Sequence, residues 1–270
     1  MRNAVTVFAG TCLVAFMADV ARADNSQCVN ASLLVPDGSQ QTGDIPAAPD
    51  PGNRWFRFVA KAGRSYAIML ENLTVPDQQA EIAVAAVFDG CGAALVPVND
   101  VADFFEPVSY DSSAGVGAAR VALKSPGNVT LFFPVQGHIN AANASQFRVR
   151  VEETTLFSPS WSTAGGFETV YRLYNTTTNN ASCSVTLDLR RDDDSAATGG
   201  SSTVTFSLPS NRSVTRQTGA SDMALASGQQ GHATVTHDCP PGAIQVHAYM
   251  SAQAGTRLLP LIVAPARQQR

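Results

Sequence analysis

The chain has 270 residues, of which 44% are hydrophobic, and carries 22 acidic against 18 basic side chains for a formal charge of −4. That apolar content excludes global disorder, and a mildly acidic chain without a basic run is a poor candidate for a nucleic-acid binder. Charged residues make up only 15%; Ser, Thr, Asn and Gly take their place, and lysine occurs only at Lys61 and Lys124. Helical surfaces normally use many Lys and Glu, so the composition favours strands.

Residues 1–23 have the form of a cleaved Sec-type signal peptide. Arg2 supplies the positive start, residues 4–18 are apolar, and Ala21-Arg22-Ala23 places small residues at both recognition positions. Asp19 and Arg22 interrupt the run before it reaches the roughly 20 apolar residues of a membrane span. Cleavage after Ala23 predicts a secreted or periplasmic protein. "RLLPLIV" (257–263) is too short to span a membrane and contains Pro260, so no integral membrane segment is expected.

The remaining chain keeps Cys28, Cys91, Cys183 and Cys239. An even number of cysteines in an exported protein reads as disulfides, and four allow three pairings. Two precede residue 150 and two follow it, so a two-domain chain pairs Cys28 with Cys91 and Cys183 with Cys239. Each bridge closes a loop of about 60 residues, worth roughly 4 kcal/mol in the chain-entropy model.

In chain order, "NRWFRFVA" (53–60) alternates around Phe56 and Phe58, and "SYAIMLENL" (65–73) puts Tyr66, Ile68 and Leu70 on one face. "AEIAVAAVFDGCG" (80–92) is an apolar run ending in a turn. "ARVALKSPGNVTLFFPV" (119–135) reads as a hairpin turning at Ser-Pro-Gly-Asn. "QFRVRVEE" (146–153) is a half-buried strand with Phe147, Val149 and Val151 inward. The pattern breaks at "EETTLFSPSWSTAGGF", and a boundary falls near Thr154. Beyond it, 167–175, 182–189, 202–208, 232–239, 243–252 and 256–263 read as strands. "GASDMALAS" (219–227) is the single candidate helical turn, capped by Ser221 or Asp222. The expected fold class is all-β: a signal peptide (1–23), then two antiparallel β-sandwich domains in tandem, jelly-roll or Ig-like (24–153 and 154–270).

The first domain resembles the bacterial pre-peptidase C-terminal family. The resemblance is carried by Asp50, by Trp55-Phe56-Arg57-Phe58, by Ala62-Gly63-Arg64-Ser65-Tyr66-Ala67-Ile68 as a hairpin turn, and by the closing strand at 147–151. It implies an extracellular accessory or binding module. The family's acidic strand is missing, since residues 80–88 hold Glu81 alone, and this puts the calcium sites of some relatives in doubt. The second domain is weakly similar to uncharacterised β-sandwich modules of exported bacterial proteins through Phe157-Ser158-Pro159-Ser160-Trp161 and through Tyr171 with Asn175-Thr176.

"GHATVTHDC" (231–239) looks most like chemistry. In a strand, however, His232, Thr234, Thr236 and Asp238 face one way and His237 and Cys239 the other. The two histidines therefore diverge, and a disulfide-bonded cysteine has no thiolate for a metal. A two-histidine site would need His247 from a neighbouring strand, completed by Asp238. The chain has no G-x-S-x-G elbow and no H-E-x-x-H, and His138 lies in a loop. No catalytic residue is assigned.

"RRDDDSAATGG" (190–200) is the densest charge run. Asp192, Asp193 and Asp194 are the candidate calcium ligands, the alternative being a solvated hairpin loop; Asp100 and Asp103 form a second acidic pair. Trp161, Arg190 and Arg191 are the candidate ligand anchors, on loops of a rigid sandwich. Trp55 is placed opposite the Phe56/Phe58 face. Asn-x-Ser/Thr sequons occur at Asn30, Asn72, Asn128, Asn143, Asn175, Asn180 and Asn211; most are expected by chance in this composition, and the Arg-over-Lys, Ala-rich style favours a bacterium. Together these features describe an exported, non-catalytic binding or structural protein recognising carbohydrate or an extracellular protein through loops, with no cofactor unless calcium. The alternatives are a secreted hydrolase with a dispersed site or an accessory protein of a secreted peptidase.

Overall fold

The computed structural model describes residues 25–46, 52–73, 82–84, 86–100, 120–137, 144–178, 182–219, 223–252, 258–261 and 263–265. The expected signal peptide, Asp103, His138 and the candidate helix caps Ser221 and Asp222 lie outside them. The protein is all-β. A 3-10 turn at Cys28–Asn30 is the one helical element among the described residues, and of the expected helical turn the described residues 223–227 are turn and irregular backbone. No described helix is long and apolar enough to cross a membrane.

The strands before Thr154 are β1 (Ser32–Leu33), β2 (Asp37–Ile45), β3 (Asn53–Ala60), β4 (Ser65–Asn72), β5 (Ile82–Val84), β6 (Asn99–Asp100), β7 (Arg120–Lys124), β8 (Val129–Gly137) and β9 (Ser145–Glu153). They form two sheets, β1-β3-β8-β5 and β2-β9-β4-β7-β6. Every pairing is antiparallel except the short one between β1 and β3. Period-two alternation sends Phe56, Phe58, Phe133, Phe147 and Tyr66 into one shared core. There Phe56 stacks on Phe133 with ring centroids 5.8 Å apart, and Phe58 meets Tyr66 at 5.2 Å.

Two expected hairpins are sheet-to-sheet crossings instead. β7 and β8 do not pair, because the Ser125–Asn128 turn carries the chain from one sheet to the other. The turn between β3 and β4 does the same, with the Tyr66 hydroxyl accepting the Lys61 N–H at 2.9 Å to hold it. Both flanking strands are apolar on the core side. Folding them onto opposite walls buries both faces, which a flat hairpin does not.

The strands after Thr155 are β10 (Leu156–Ser162), β11 (Phe167–Asn175), β12 (Ser182–Arg191), β13 (Thr203–Pro209), β14 (Ser213–Gln217), β15 (Gln230–His237), β16 (Ile244–Ala252), β17 (Leu258–Leu261) and β18 (Ala264–Pro265). Their sheets are β13-β12-β15-β10-β18 and β14-β11-β16-β17, around a second core that includes Trp161, Tyr171, Leu173, Val185, Leu187 and Val235. No strand of this group pairs with a strand of the first among the described residues. Strand β10 occupies the stretch that reads as a pattern break. Its pairing with β15 shifts register between Ser158 and Trp161, a bulge that interrupts the alternation and accommodates Pro159 on the exposed side.

The disulfides are Cys28–Cys91 and Cys183–Cys239, with Cα atoms 5.6 and 5.5 Å apart, within the normal span. The second is buried in the C-terminal core.

Between β9 and β10 there is no exposed linker. Thr154 and Thr155 are buried. The Ser65 N–H donates to Thr155 Oγ1 at 3.0 Å, Thr154 Oγ1 bonds Ser65 Oγ at 3.0 Å, and the Thr154 N–H donates to the Ser65 carbonyl at 2.8 Å. From β7, Lys124 Nζ donates to Ser184 Oγ and Thr186 Oγ1 on β12, both at 2.9 Å.

Candidate functional site

"GHATVTHDC" is strand β15 and the turn after it. His237 is buried, and its Nδ1 accepts the Cys239 N–H at 3.2 Å. Its ring also bonds the Thr154 backbone, and burial pulls its pKa down to about 4, so the imidazole is neutral at physiological pH. His232 lies half-buried on the other face. It stacks near Phe157, with centroids 5.7 Å apart, and stands 3.4 Å from the Asp194 carboxylate. The neighbouring-strand role considered for His247 does not occur: β16 belongs to the opposite sheet, and His247 is exposed there. Asp238 accepts the Ser184 N–H at 2.7 Å, and burial raises its pKa.

An amine beside a hydroxyl, as in Lys124 and Ser184, is also the outline of a nucleophile–base pair. The surroundings give it a different role. Burial lowers the Lys124 pKa while the Asp238 charge opposes the shift, and the ammonium divides its donors between Ser184 and Thr186. A donor shared between two hydroxyls on the neighbouring strand is a clamp.

The loop anchors expected from sequence are placed differently. Trp161 is on β10, not in a loop, and is only 1% exposed. Its Nε1–H is shared between the Arg190 and His232 carbonyls at 2.8 and 2.9 Å. An indole that joins three strands in the core has no surface to offer a ligand. Gly231 pairs with Trp161, and a Cβ there would meet the Arg190 carbonyl oxygen at 1.9 Å, so only glycine permits this close crossing. Arg190 lies on β12 with Nε on Asp188 at 2.8 Å, and Arg191 ends the same strand, exposed.

The aspartates at the β12–β13 hairpin do not form one oxygen cage. Asp192 accepts from Gln230 Nε2 at 3.0 Å, Asp193 accepts the Ser195 N–H at 3.1 Å, and Asp194 faces His232. The Asp193 bonds to Ser195 also hold its carboxyl below the usual range. Three carboxylates with three separate partners make a structured turn. Among the described residues, no three His, Cys, Asp or Glu side chains are grouped as a metal site requires.

The most ligand-like surface is the outward face of the β1-β3-β8-β5 sheet. On β3, Phe56 and Phe58 point inward, so Trp55, Arg57 and Val59 point outward. Register places Arg57 opposite Phe132 of β8 on one side and Leu33 of β1 on the other. Phe88 bridges Phe132 through reciprocal backbone bonds of 2.8 and 2.9 Å and packs on Trp55 with ring centroids 5.9 Å apart. Leu95 bridges Phe88 in turn. Leu33, Val59 and Leu95 are 51%, 58% and 67% exposed, so an aliphatic border stands in solvent around three half-buried aromatic rings. Cys28–Cys91 ties the segment carrying Phe88 and Leu95 to the start of the described chain. Trp55 was placed on this side by alternation. Its neighbours came from strand register and from the 88–95 turn, which carry no periodic signal.

A scan against protein-family models finds no match, and a search of curated proteins finds none. The resemblance to the pre-peptidase C-terminal family therefore rests on the quoted motifs alone.

Proposed function

We propose that this chain is an exported, non-catalytic binding protein of two β-sandwich modules whose ligand is a polypeptide, held on the outward face of β3 and β8. The observation that carries the reading is the Trp55–Phe88 ring contact beside Arg57, with an aliphatic border in solvent. Aromatic and Arg side chains are the anchors in which interface energy concentrates. The border of Leu33, Val59 and Leu95 favours apolar side chains over the hydroxyl-rich surface of a glycan, and Arg57 favours acidic groups among them. Two disulfides support passage through an oxidising compartment. The dispersal of His232, His237 and His247 supports a non-catalytic role. The test uses Trp55 as reporter in a Trp161→Phe background. Acidic, apolar extracellular polypeptides should shift its emission to the blue, and soluble polysaccharides should leave it unchanged. A shift with polysaccharide alone would replace the polypeptide reading with a carbohydrate one.

A further inference from the structure

The second sheet pair has an outward face unlike that of β3 and β8. On β11 and β16, Tyr171, Leu173, Ile244 and Ala248 enter the core, so alternation turns Val170, Arg172, Tyr174, Gln245, His247 and Tyr249 outward. Register sets Val170 opposite Tyr249, Arg172 opposite His247, and Tyr174 opposite Gln245. Val170 is only 1% exposed, while Arg172, Gln245 and His247 are exposed and both tyrosines are half-buried. Among the described residues, the exposed large aliphatic side chains all precede residue 100, so none borders these strands.

Arg54, Arg64, Arg148, Arg150 and Arg190 each meet a carboxylate. Arg172 meets none among the described residues, and no described side chain bonds His247 or Gln245. Glu168 is the one acid on β11 and β16. Its carboxylate lies against Gly219, where a Cβ would meet Oε2 at 2.9 Å. In a chain of formal charge −4, this face therefore presents a guanidinium without a counter-ion, directly beside an imidazole. Tyr174 lies four residues along β11 from the Val170–Tyr249 pair, roughly 13 Å, so the two phenol rings flank the Arg172–His247 pair.

We propose that the outward face of β11 and β16 binds an acidic polysaccharide, whose carboxylate pairs with Arg172 and whose sugar rings lie on Tyr174 and Tyr249. A guanidinium holds both oxygens of a carboxylate in one plane. The His247 ring and the Gln245 amide supply donors and acceptors for the neighbouring hydroxyls. A phenol offers an apolar ring face with a polar tip, which suits a sugar ring better than an aliphatic side chain does. The lack of an exposed aliphatic border favours a glycan here over the apolar polypeptide assigned to β3 and β8. Charge complementarity favours a uronate over a neutral sugar.

Isothermal titration calorimetry of the full chain with polygalacturonate oligomers tests this, set against neutral galactan oligomers and polyglutamate of matched charge. Polygalacturonate should bind, and neutral galactan should not. Arg172→Ala and Tyr249→Ala should each weaken binding tenfold or more while retaining the wild-type circular dichroism. Arg191→Ala removes the same charge from the exposed end of β12 and should bind as the wild type does. Trp55 stands in the other sheet pair, so its emission reports the polypeptide face separately. Polygalacturonate that fails to bind, or that binds Arg172→Ala and Tyr249→Ala as tightly as the wild type, would overturn the proposal. Polyglutamate that binds as tightly as polygalacturonate would overturn the glycan assignment and make this face a site for acidic polypeptide.

Discussion

Lys124 Nζ stands 2.9 Å from Ser184 Oγ where the two sheet pairs meet, and the same amine reaches Thr186 Oγ1 at 2.9 Å. One of only two lysines in the chain thus links β7 of the first sheet pair to β12 of the second. With Thr154 and Thr155 buried beside Ser65, it makes the connection a packed joint rather than a linker. Lys124→Met keeps the stem and removes the donors. It should destabilise the chain by about 1.5–3 kcal/mol, the range for a hydrogen bond to a charged group, read as a lower urea midpoint. A midpoint equal to the wild type would show that the joint does not depend on this side chain.

The joint also titrates through His237. Its folded pKa of about 4 lies below the ordinary 6.5 because the ring is buried. The unfolded chain therefore takes up a proton that the folded chain refuses. The associated stability is full above pH 6.5 and falls as the pH drops toward 4, by about 3 kcal/mol in total. Asp238 works the other way: burial raises its pKa, so the folded state binds its proton first. The Lys124 charge bears on both groups, lowering each of their pKa values. Urea unfolding at pH 7 and pH 4.5 should show a steep loss for the wild type and a shallower one for His237→Gln. Equal slopes would remove His237 as the source.

Cys28–Cys91 spans 63 residues and anchors the segment that bears Phe88 and Leu95. Replacing both cysteines with serine should cost about 4 kcal/mol in the chain-entropy model and loosen the outward aromatic face. Thermal unfolding measures the first effect, and the exposure of Trp55 to an aqueous quencher measures the second. A variant that melts lower but leaves Trp55 equally shielded would show that the bridge stabilises the fold without shaping the face.

Trp161→Phe deletes the donor shared by the Arg190 and His232 carbonyls and leaves a gap in the core. The expected cost is about 2–4 kcal/mol, with ligand affinity unchanged because the side chain is buried. A loss of affinity without loss of stability would return Trp161 to the surface role suggested by its Pro- and Gly-rich flanks.

The all-β class was legible because alternation at 53–60, 146–153 and 182–189 is nearly unbroken, and every buried residue of β3 and β9 falls on the predicted side. β10 was illegible because its bulge at Ser158–Trp161 breaks period two. In the sequence the crossings after β3 and β7 look like hairpins because turn residues report a reversal of the chain, not the sheet that the next strand joins. On the candidate face, alternation placed Trp55, but Phe88 and Phe132 reach it through register over tens of residues. Lys124 and Ser184 lie 60 residues apart with no shared pattern, so their contact is a property of packing alone.

The claim that the outward face of β3 and β8 binds the ligand is tested most directly by comparing affinities for the polypeptide selected in the Trp55 fluorescence experiment. Surface plasmon resonance on folded Trp55→Ala, Arg57→Ala and His232→Ala variants is the measurement. The account predicts losses of about 1 kcal/mol or more for Trp55→Ala and Arg57→Ala, with His232→Ala within error of the wild type. Unchanged affinity in both face variants together with lost binding in His232→Ala would contradict it and move the site to the "GHATVTHDC" strand.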